Sequence, residues 1–585
     1  MASLGAAPAA GRVERTIPAG RRWALQLSFA AVLCTVVLGM VALLVAVPVI
    51  LLLLDSFQVG QFGTQTRLGI DNWTSALSNP RALAALQNTI LLAVTRQAIA
   101  LVVGVLVAWL LARTDLPGRH WLEFAFWIAV FLPTLTVTLG WIMVFDGFNG
   151  LANRLVEYLL GVKGPFDIFS WWGIIWVHLV TTTIPIKVML LTPAFRNMDS
   201  SLEEAARVAG ASTFGTLFRI LVPLIAPTIG VVTVLGTIRA LEAFEIELVL
   251  GLPARIDVYS TLIYSQATAA PPQYGQATVL SVVVLAIILP FIGLQQWYSG
   301  RASHATVTGK FRTAPHRLGA WRWPLAALVF GMVLIMTVLP VILVGLGAFM
   351  RPFGMFGVKN VWTLQNWQTV LGSPSFTNAL TNSLIIAGGT AIFSMVAFGL
   401  IAYIVVRTTF YGRGALDFLV WLPSTLPGIV MGLGYLYLFL GTPFLRPIYG
   451  TTFILILVAS LGSITLTTQI LKSSLLQLGA ELEEASSVSG GSRWRTLRHV
   501  TLPLIAPSLA VVGVLAFSAA ARATSHVALL ATRANQPLSI LQLNLMTNND
   551  FEAGSVVGVF ILLLTVGVAL VARLLGLRLG PEARR

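Results

Sequence analysis

Apolar residues along this chain gather in long runs. Twelve runs reach or approach the roughly 20 apolar residues that a bilayer-crossing helix needs. They lie at about 24–54, 86–112, 121–145, 171–192, 224–250 and 279–298, then at 324–349, 380–406, 415–440, 451–471, 504–531 and 555–577. The strands of a membrane barrel would alternate apolar and polar positions, and these runs do not. The pattern predicts an all-α polytopic membrane protein of about twelve transmembrane helices, arranged as two tandem six-helix halves. The first run is too long for a signal-peptide core of roughly 7–15 residues, so it reads as a retained helix.

The halves are copies of one another. "DNWTSALSNPRALAALQNTILLA" from Asp71 parallels "QNWQTVLGSPSFTNALTNSLIIA" from Gln365, an offset of 294. Further on, "EEAARVAGASTFGTLFRILVPLIAP" at 203–227 parallels "EEASSVSGGSRWRTLRHVTLPLIAP" at 483–507, where the offset has fallen from 294 to 280. The second copy is therefore 14 residues shorter in between, and the surplus falls in "NGLANRLVEYLLGVKGPFDIFSW" of the first. These offsets set the domain boundaries: a tail at 1–23, a first half at 24–298, a linker at 299–323 and a second half at 324–585. An even number of helices per half makes this a parallel repeat, with a pseudo-twofold axis along the membrane normal.

Composition narrows the class. Charged residues make up 10% and hydrophobic ones 57% of 585 residues, against about a quarter charged in soluble domains. The formal charge of +15 reads as topology. Arg113 and Arg119, Arg196, Arg207 and Arg219, the acid-free linker with Arg301, Lys310, Arg312, Arg317 and Arg322, Arg407 and Arg413, Lys472 to Arg498, and the C-terminal arginines all fall on one side. By the positive-inside rule that side, with both termini and both polar hairpins, is cytoplasmic. No nucleic-acid partner is needed to explain the charge, and membrane lipid is the expected surroundings. The sole cysteine, Cys34, lies in an apolar run. The six histidines show no zinc spacing, no G-x-x-x-x-G-K-[ST] phosphate loop occurs, and no catalytic residue, metal or cofactor is expected.

The duplicated polar stretch reads as a helix–turn–helix. Ser201 with Glu204 fits a capping box, Gly210 closes the first helix, Ser212 caps a second, and Pro223 and Pro227 open the next span. Glu483, Glu484, Gly490, Ser492, Pro503 and Pro507 repeat the design. Loops ordinarily drift faster than their scaffold, yet this loop matches across the halves better than most of the spans. The pattern E-A-A, three residues, G, nine residues, I-x-L-P resembles the cytoplasmic signature of membrane subunits of type I binding-protein-dependent ABC importers. Glu204, Ala205, Ala206, Gly210, Ile220 and Pro223 carry it in the first copy, with Val222 for leucine. Glu484, Ala485, Gly490, Leu502 and Pro503 carry it in the second, with Ser486 and Val500 as mild departures. The resemblance implies a fused pair of permease subunits in a bacterial inner membrane. It also implies two copies of an ATPase subunit that receive the hairpins and a separate solute-binding protein. Glu203, Glu204, Glu483 and Glu484 would then pair with bases of the ATPase. "RALEAFEIELVLG" and "STLIY" resemble the ferric-iron branch, with thiamine, polyamine and phosphonate permeases as neighbours. A secondary transporter of parallel-repeat build is the alternative; it would need its own ion-coupling site.

Charges at membrane depth are functional candidates by default. Arg239, Glu242, Glu245 and Glu247 lie after the first hairpin; Arg522, Ser525 and His526 lie after the second. At the offset of 280, Glu242 aligns with Arg522. The expectation is a Glu242–Arg522 latch at an outer gate; contact of the acids with a cationic substrate, contact with the binding protein and a wet helix end remain open beside it. Arg96 is a lone charge without a nameable partner, and His178 reads as a packed histidine. Asn88 and Asn382 recur at matching helix starts, as caps or interhelical bonds.

Overall fold

A computed structural model describes residues 29–60, 67–302, 316–479 and 481–574. The tail 1–23, the linker residues 303–315 and the C-terminal arginines 578, 584 and 585 lie outside the described residues.

Nine helices among these residues are long and apolar enough to cross a membrane, or twelve if three sharply bent pairs count as one span each. The first repeat holds α1 (Phe29–Asp55), α2 (Pro80–Arg113), α3 (Arg119–Phe131), α4 (Thr134–Phe145), α5 (Leu151–Leu160), α6 (Trp171–Arg196), the hairpin helices α7 (Ser201–Val208) and α8 (Thr213–Leu224), then α9 (Ala226–Leu241), α10 (Tyr259–Thr268) and α11 (Tyr274–Ala302). The second holds α12 (Gly319–Gly347), α13 (Pro374–Arg407), α14 (Arg413–Thr425), α15 (Gly428–Gly441), α16 (Thr452–Gln477), α17 (Glu481–Val488), α18 (Trp494–Ala521), α19 (Leu538–Thr547) and α20 (Phe551–Leu574). Each of the twelve apolar runs falls on one of these spans. The only strands among the described residues are a two-residue pair, Gln58–Val59 against Arg67–Leu68.

Three runs expected as plain spans are broken. The third run of each repeat turns by 102° between α3 and α4 and by 117° between α14 and α15. The cause is a Leu-Pro step: proline disfavours helical backbone at the residue before it, and Leu132 (ψ 134°) and Leu426 (ψ 128°) are both extended. The first repeat also bends by 73° between α8 and α9, ahead of Pro227, whereas α18 carries Pro507 through without a break. The runs 224–250 and 504–531 end early, at Leu241 and Ala521, because the helices cap at Glu242 and Arg522. Beyond each cap the chain forms a separate segment folded back among the helices.

The first helix of each repeat packs on the other repeat. Pro48 of α1 sits against Gly434 of α15, where a Cβ would meet the proline ring at 2.9 Å. Pro340 of α12 sits against Gly140 of α4, where a Cβ would lie 2.7 Å from the proline Cα. Small residues let helices approach this closely in an apolar medium. One contiguous buried apolar cluster, from Cys34 in α1 to Leu562 in α20, runs through both repeats.

Candidate functional site

The hairpins are built alike. Gly210 (φ +77°) and Gly490 (φ +80°) take the left-handed conformation that glycine adopts without steric cost. Around them the Ala211 amide returns to the Ala206 carbonyl and the Gly491 amide to the Ser486 carbonyl, both at 2.9 Å. The Ser212 hydroxyl then accepts from the Gly215 amide at 3.1 Å, and the Ser492 hydroxyl from the Arg495 amide at 3.3 Å. The first helix starts differently from the capping-box expectation. Ser201 is already helical, and its amide donates to the Asp199 carboxylate at 3.0 Å. That bond holds Asp199 below the ordinary carboxylate range.

The acids divide into two kinds. Glu203 is buried and receives the Arg113 guanidinium at 2.8 Å, while Arg113 also donates to the Met198 carbonyl at 3.0 Å. Glu483 lies 3.4 Å from Arg407 and accepts from the Thr501 hydroxyl at 2.9 Å. Arg407 further donates to the Leu475 and Leu478 carbonyls at 3.0 and 2.7 Å. Glu203 and Glu483 thus have bases within their own repeats, Glu203 buried and Glu483 half-buried, and burial of a charge calls for such a partner. Glu204, Ala205, Glu484 and Ala485 are exposed, together with Val208, Val488, Phe214, Phe218 and Trp494. Pro223 lies in the last turn of α8 and Pro503 within α18. Arg113 and Arg407 occupy the same place in the repeat, 294 apart, a signal the sequence carried. A second matched brace ties α3 to α6 through Glu123–Arg196 and α14 to α16 through Asp417–Lys472, each at 2.6 Å.

The charges beyond α9 and α18 do not pair as expected. Glu242 bonds Arg239 at 3.2 Å within its own helix end, and its Oε1 is buried with no hydrogen-bond partner. Arg522 reaches instead across the seam, donating to the Val130 carbonyl at 2.6 Å and the Leu132 carbonyl at 3.3 Å. These are orphan carbonyls at the broken end of α3, the negative end of that helix dipole. The acid whose charge acts on Arg522 is Glu245, without an ion pair between them. Across the repeats Arg522 is therefore held by carbonyls, with Glu245 and not Glu242 as the acid that acts on it through charge. The Ser525 hydroxyl lies 3.4 Å from the His526 ring. Both residues fill space left by glycines: a Cβ at Gly428 would lie 2.4 Å from Ser525 and 3.0 Å from His526.

Glu247 belongs elsewhere. It is buried between Arg96 of α2 at 3.2 Å and His178 of α6 at 2.8 Å, and Arg96 also donates to the Ala240 carbonyl. One helical position on, Gln97 bonds the Gly236 carbonyl at 2.6 Å and receives the Lys187 ammonium. Arg96 thus has a partner, and His178 is more than packing. The aligned positions of the second repeat are Thr390, Val458 and Val527, all uncharged. The two asparagines do equivalent work: Asn88 donates to the Asp257 carbonyl at 2.9 Å and Asn382 to the Ala534 carbonyl at 3.0 Å. Each ties the second span of its repeat to the segment folded back after the fifth.

Comparison with known proteins places this geometry. The chain is 29% identical over 415 residues to a putative ferric transport system permease protein of Haemophilus influenzae, covering 69% of this chain and 63% of that one. It is 26% identical over 464 residues to a ferric transport system permease protein of Actinobacillus pleuropneumoniae, covering 76% and 64%. The matched stretch thus spans less than two thirds of either relative's own length. A probable ABC transporter permease protein of Sinorhizobium fredii is 26% identical over 576 residues, covering 93% of this chain and 97% of that one. Residues 100–304 and 395–581 each match the profile of the binding-protein-dependent transport system inner membrane component. The profile thus covers about two thirds of the chain and matches it twice, once in each repeat, and the chain belongs to that family.

Proposed function

We propose that this chain is the membrane-spanning permease of an ATP-driven importer, with two permease units fused, and that its cargo is ferric iron handed over by a separate binding protein. The observation that carries the reading is the pair of matched hairpins, each bolted to its own repeat through Glu203 or Glu483 and each presenting an exposed acid and apolar knobs. Two identical ATPase subunits would find two like docking surfaces there, with Glu204 and Glu484 as the acids that meet them and Gly210 and Gly490 shaping the turn. ATP hydrolysis belongs to those subunits. The hairpins and both termini face the cytoplasm in this reading, in a bacterial inner membrane. The repeats remain the functional units, joined through the linker 299–323. The ferric assignment is supported by the names of the Haemophilus and Actinobacillus relatives.

On the opposite side, Glu245, Arg522 and the α3 carbonyls form the closed seam, with Arg239, Glu242, Ser525 and His526 bordering it. Opening that seam would require Arg522 to leave the two α3 carbonyls and move away from the charge of Glu245.

The test is reconstitution. The chain is co-expressed with candidate ATPase and solute-binding subunits, placed in liposomes, and supplied with radiolabelled ferric iron. ATP-dependent uptake is expected, together with loss of ATPase co-purification when Glu204 and Glu484 are both replaced by arginine. Stable ATPase association with uptake of thiamine, a polyamine or a phosphonate would replace the cargo. Uptake that persists without any ATPase and tracks an ion gradient would replace the mechanism.

A further inference from the structure

The first repeat carries an element the second lacks: α5, in the 14 surplus residues between α4 and α6. Its place is fixed. The Ile168 amide bonds the Phe145 carbonyl at 2.9 Å, so the end of α4 and the start of α6 meet. Asn153 rivets the helix to both flanks, donating to the Asp146 and Phe166 carbonyls at 2.8 and 2.7 Å and accepting from the Phe166 amide at 2.9 Å. Such a helix cannot roll freely to hide a face.

The face it shows is apolar. Leu155, Tyr158 and Leu159 are 58%, 87% and 65% exposed, and Val162 continues the stripe past the helix end at 50%. The spacing i, i+3, i+4 puts Leu155, Tyr158 and Leu159 on one side of the helix, and Val162 follows past the left-handed Gly161. Leu160 and Phe148 add to the apolar surface at 73% and 93%. Polar groups are sparse here: Arg154 is half-buried, and Glu157 pairs loosely with Lys163 at 3.8 Å. Apolar surface of this extent on a rigid element needs a partner.

The structure assigns that partner: α5 lies in the headgroup–acyl boundary of the leaflet opposite the hairpins, with its Leu155–Tyr158–Leu159–Val162 stripe in lipid. The level is set by its neighbours. The helix joins the ends of two spans, α4 and α6, and α6 begins with Trp171 and exposed Trp172, the residues that mark a membrane interface. An amphipathic helix with leucine and tyrosine on one face is the usual occupant of that boundary. A soluble partner that docks and leaves suits the stripe less well. Transient interfaces are no more apolar than ordinary surface, and three leucines would face water between visits. The inference rests on the spanning architecture and is independent of the cargo.

The sole cysteine makes the test direct. In a Cys34→Ser background, single cysteines replacing Leu155 and Leu159 are spin-labelled in bilayer nanodiscs. Collision with oxygen, which concentrates in lipid, is compared with collision with a water-soluble nickel chelate. Ile392→Cys, exposed on span α13, serves as the lipid reference, and Thr547→Cys, exposed at the end of α19, as the water reference. The expected result is an oxygen preference like that of the Ile392 site, several-fold above the Thr547 site and unchanged by added binding protein. Nickel accessibility equal to the water reference would overturn the proposal. So would shielding that appears only when the binding protein is added.

Discussion

A charge inside a spanning bundle loses its water and must find replacement partners within the protein. Arg96, Glu247 and His178 do this as a set, so each member depends on the others. Removing one partner of a buried pair typically costs about 3–5 kcal/mol, whereas replacing both by neutral groups of similar volume is close to harmless. Arg96→Met alone should lower the melting temperature of the purified chain markedly. Arg96→Met with Glu247→Gln should recover most of the loss, as read by thermal unfolding in detergent. Arg522 calls for a different outcome, because its hydrogen bonds go to two carbonyls and Glu245 acts on it only through charge. Exchanging charges as Glu245→Arg with Arg522→Glu should fail to rescue uptake, since a glutamate at 522 would oppose the Val130 and Leu132 carbonyls. Glu242→Arg with Arg522→Glu should fail as well. Arg522→Lys, which keeps a donor, should retain more activity than either. Full rescue by a charge exchange would show that a simple ion pair holds the seam.

At the scale of elements, the sequence announces what is local and conceals what depends on neighbours. Length and apolarity locate the nine unbroken spans and the three bent pairs among the described residues, and the left-handed glycines at 210 and 490 come from the turn their hairpins must make. The apolar runs hid the breaks, although the Leu132–Pro133 and Leu426–Pro427 steps behind two of them recur at the offset of 294. The pairing of charges was not. Which acid Arg522 meets depends on where α9 ends and how residues 242–251 fold back, and one turn of difference exchanges Glu242 for Glu245. Likewise Arg96 gains its partners only because α2 runs between α6 and the segment after α9. Close helix crossings give a sharper prediction. A Cβ at Gly140 would strike Pro340 backbone at 2.7 Å, and neither partner is a flexible side chain. Gly140→Val and Gly434→Val should therefore reduce the yield of monodisperse protein and lower its melting temperature. Gly441→Ala and Gly567→Ala, where an added Cβ meets nothing within 4 Å, should change little. Overpacking of a tight contact costs about 1–3 kcal/mol, so size-exclusion melting curves would separate the pairs.

At the scale of the molecule, the repeats are joined by more than a linker. α1 packs on α11 of its own repeat and also lies on α15 of the other, reaching α14 through Leu38, whose Cδ2 would be 2.9 Å from a Cβ at Gly412. α12 makes the reciprocal crossing onto α4, and Met143 of α4 would approach a Cβ at Gly347 to 3.0 Å. Arg522 adds a polar tie from the end of α18 to the end of α3. Each repeat thus lacks a wall that the other supplies, and a repeat alone would expose Gly140 or Gly434 in a groove shaped for a proline-bearing helix. Spanning helices form independently and associate afterwards through packing, so covalent continuity matters less than the presence of both partners. Two chains covering residues 1–302 and 316–585 should accumulate poorly when expressed singly. Co-expressed, they should co-purify through an affinity tag on either one and recover ATPase binding. Placing Gly434→Val on the second chain should abolish that co-purification, because it closes the seat of Pro48 while leaving the linker question untouched. Stable, monodisperse accumulation of either piece alone would mean that each repeat closes its own walls and that the crossed helices only decorate the seam.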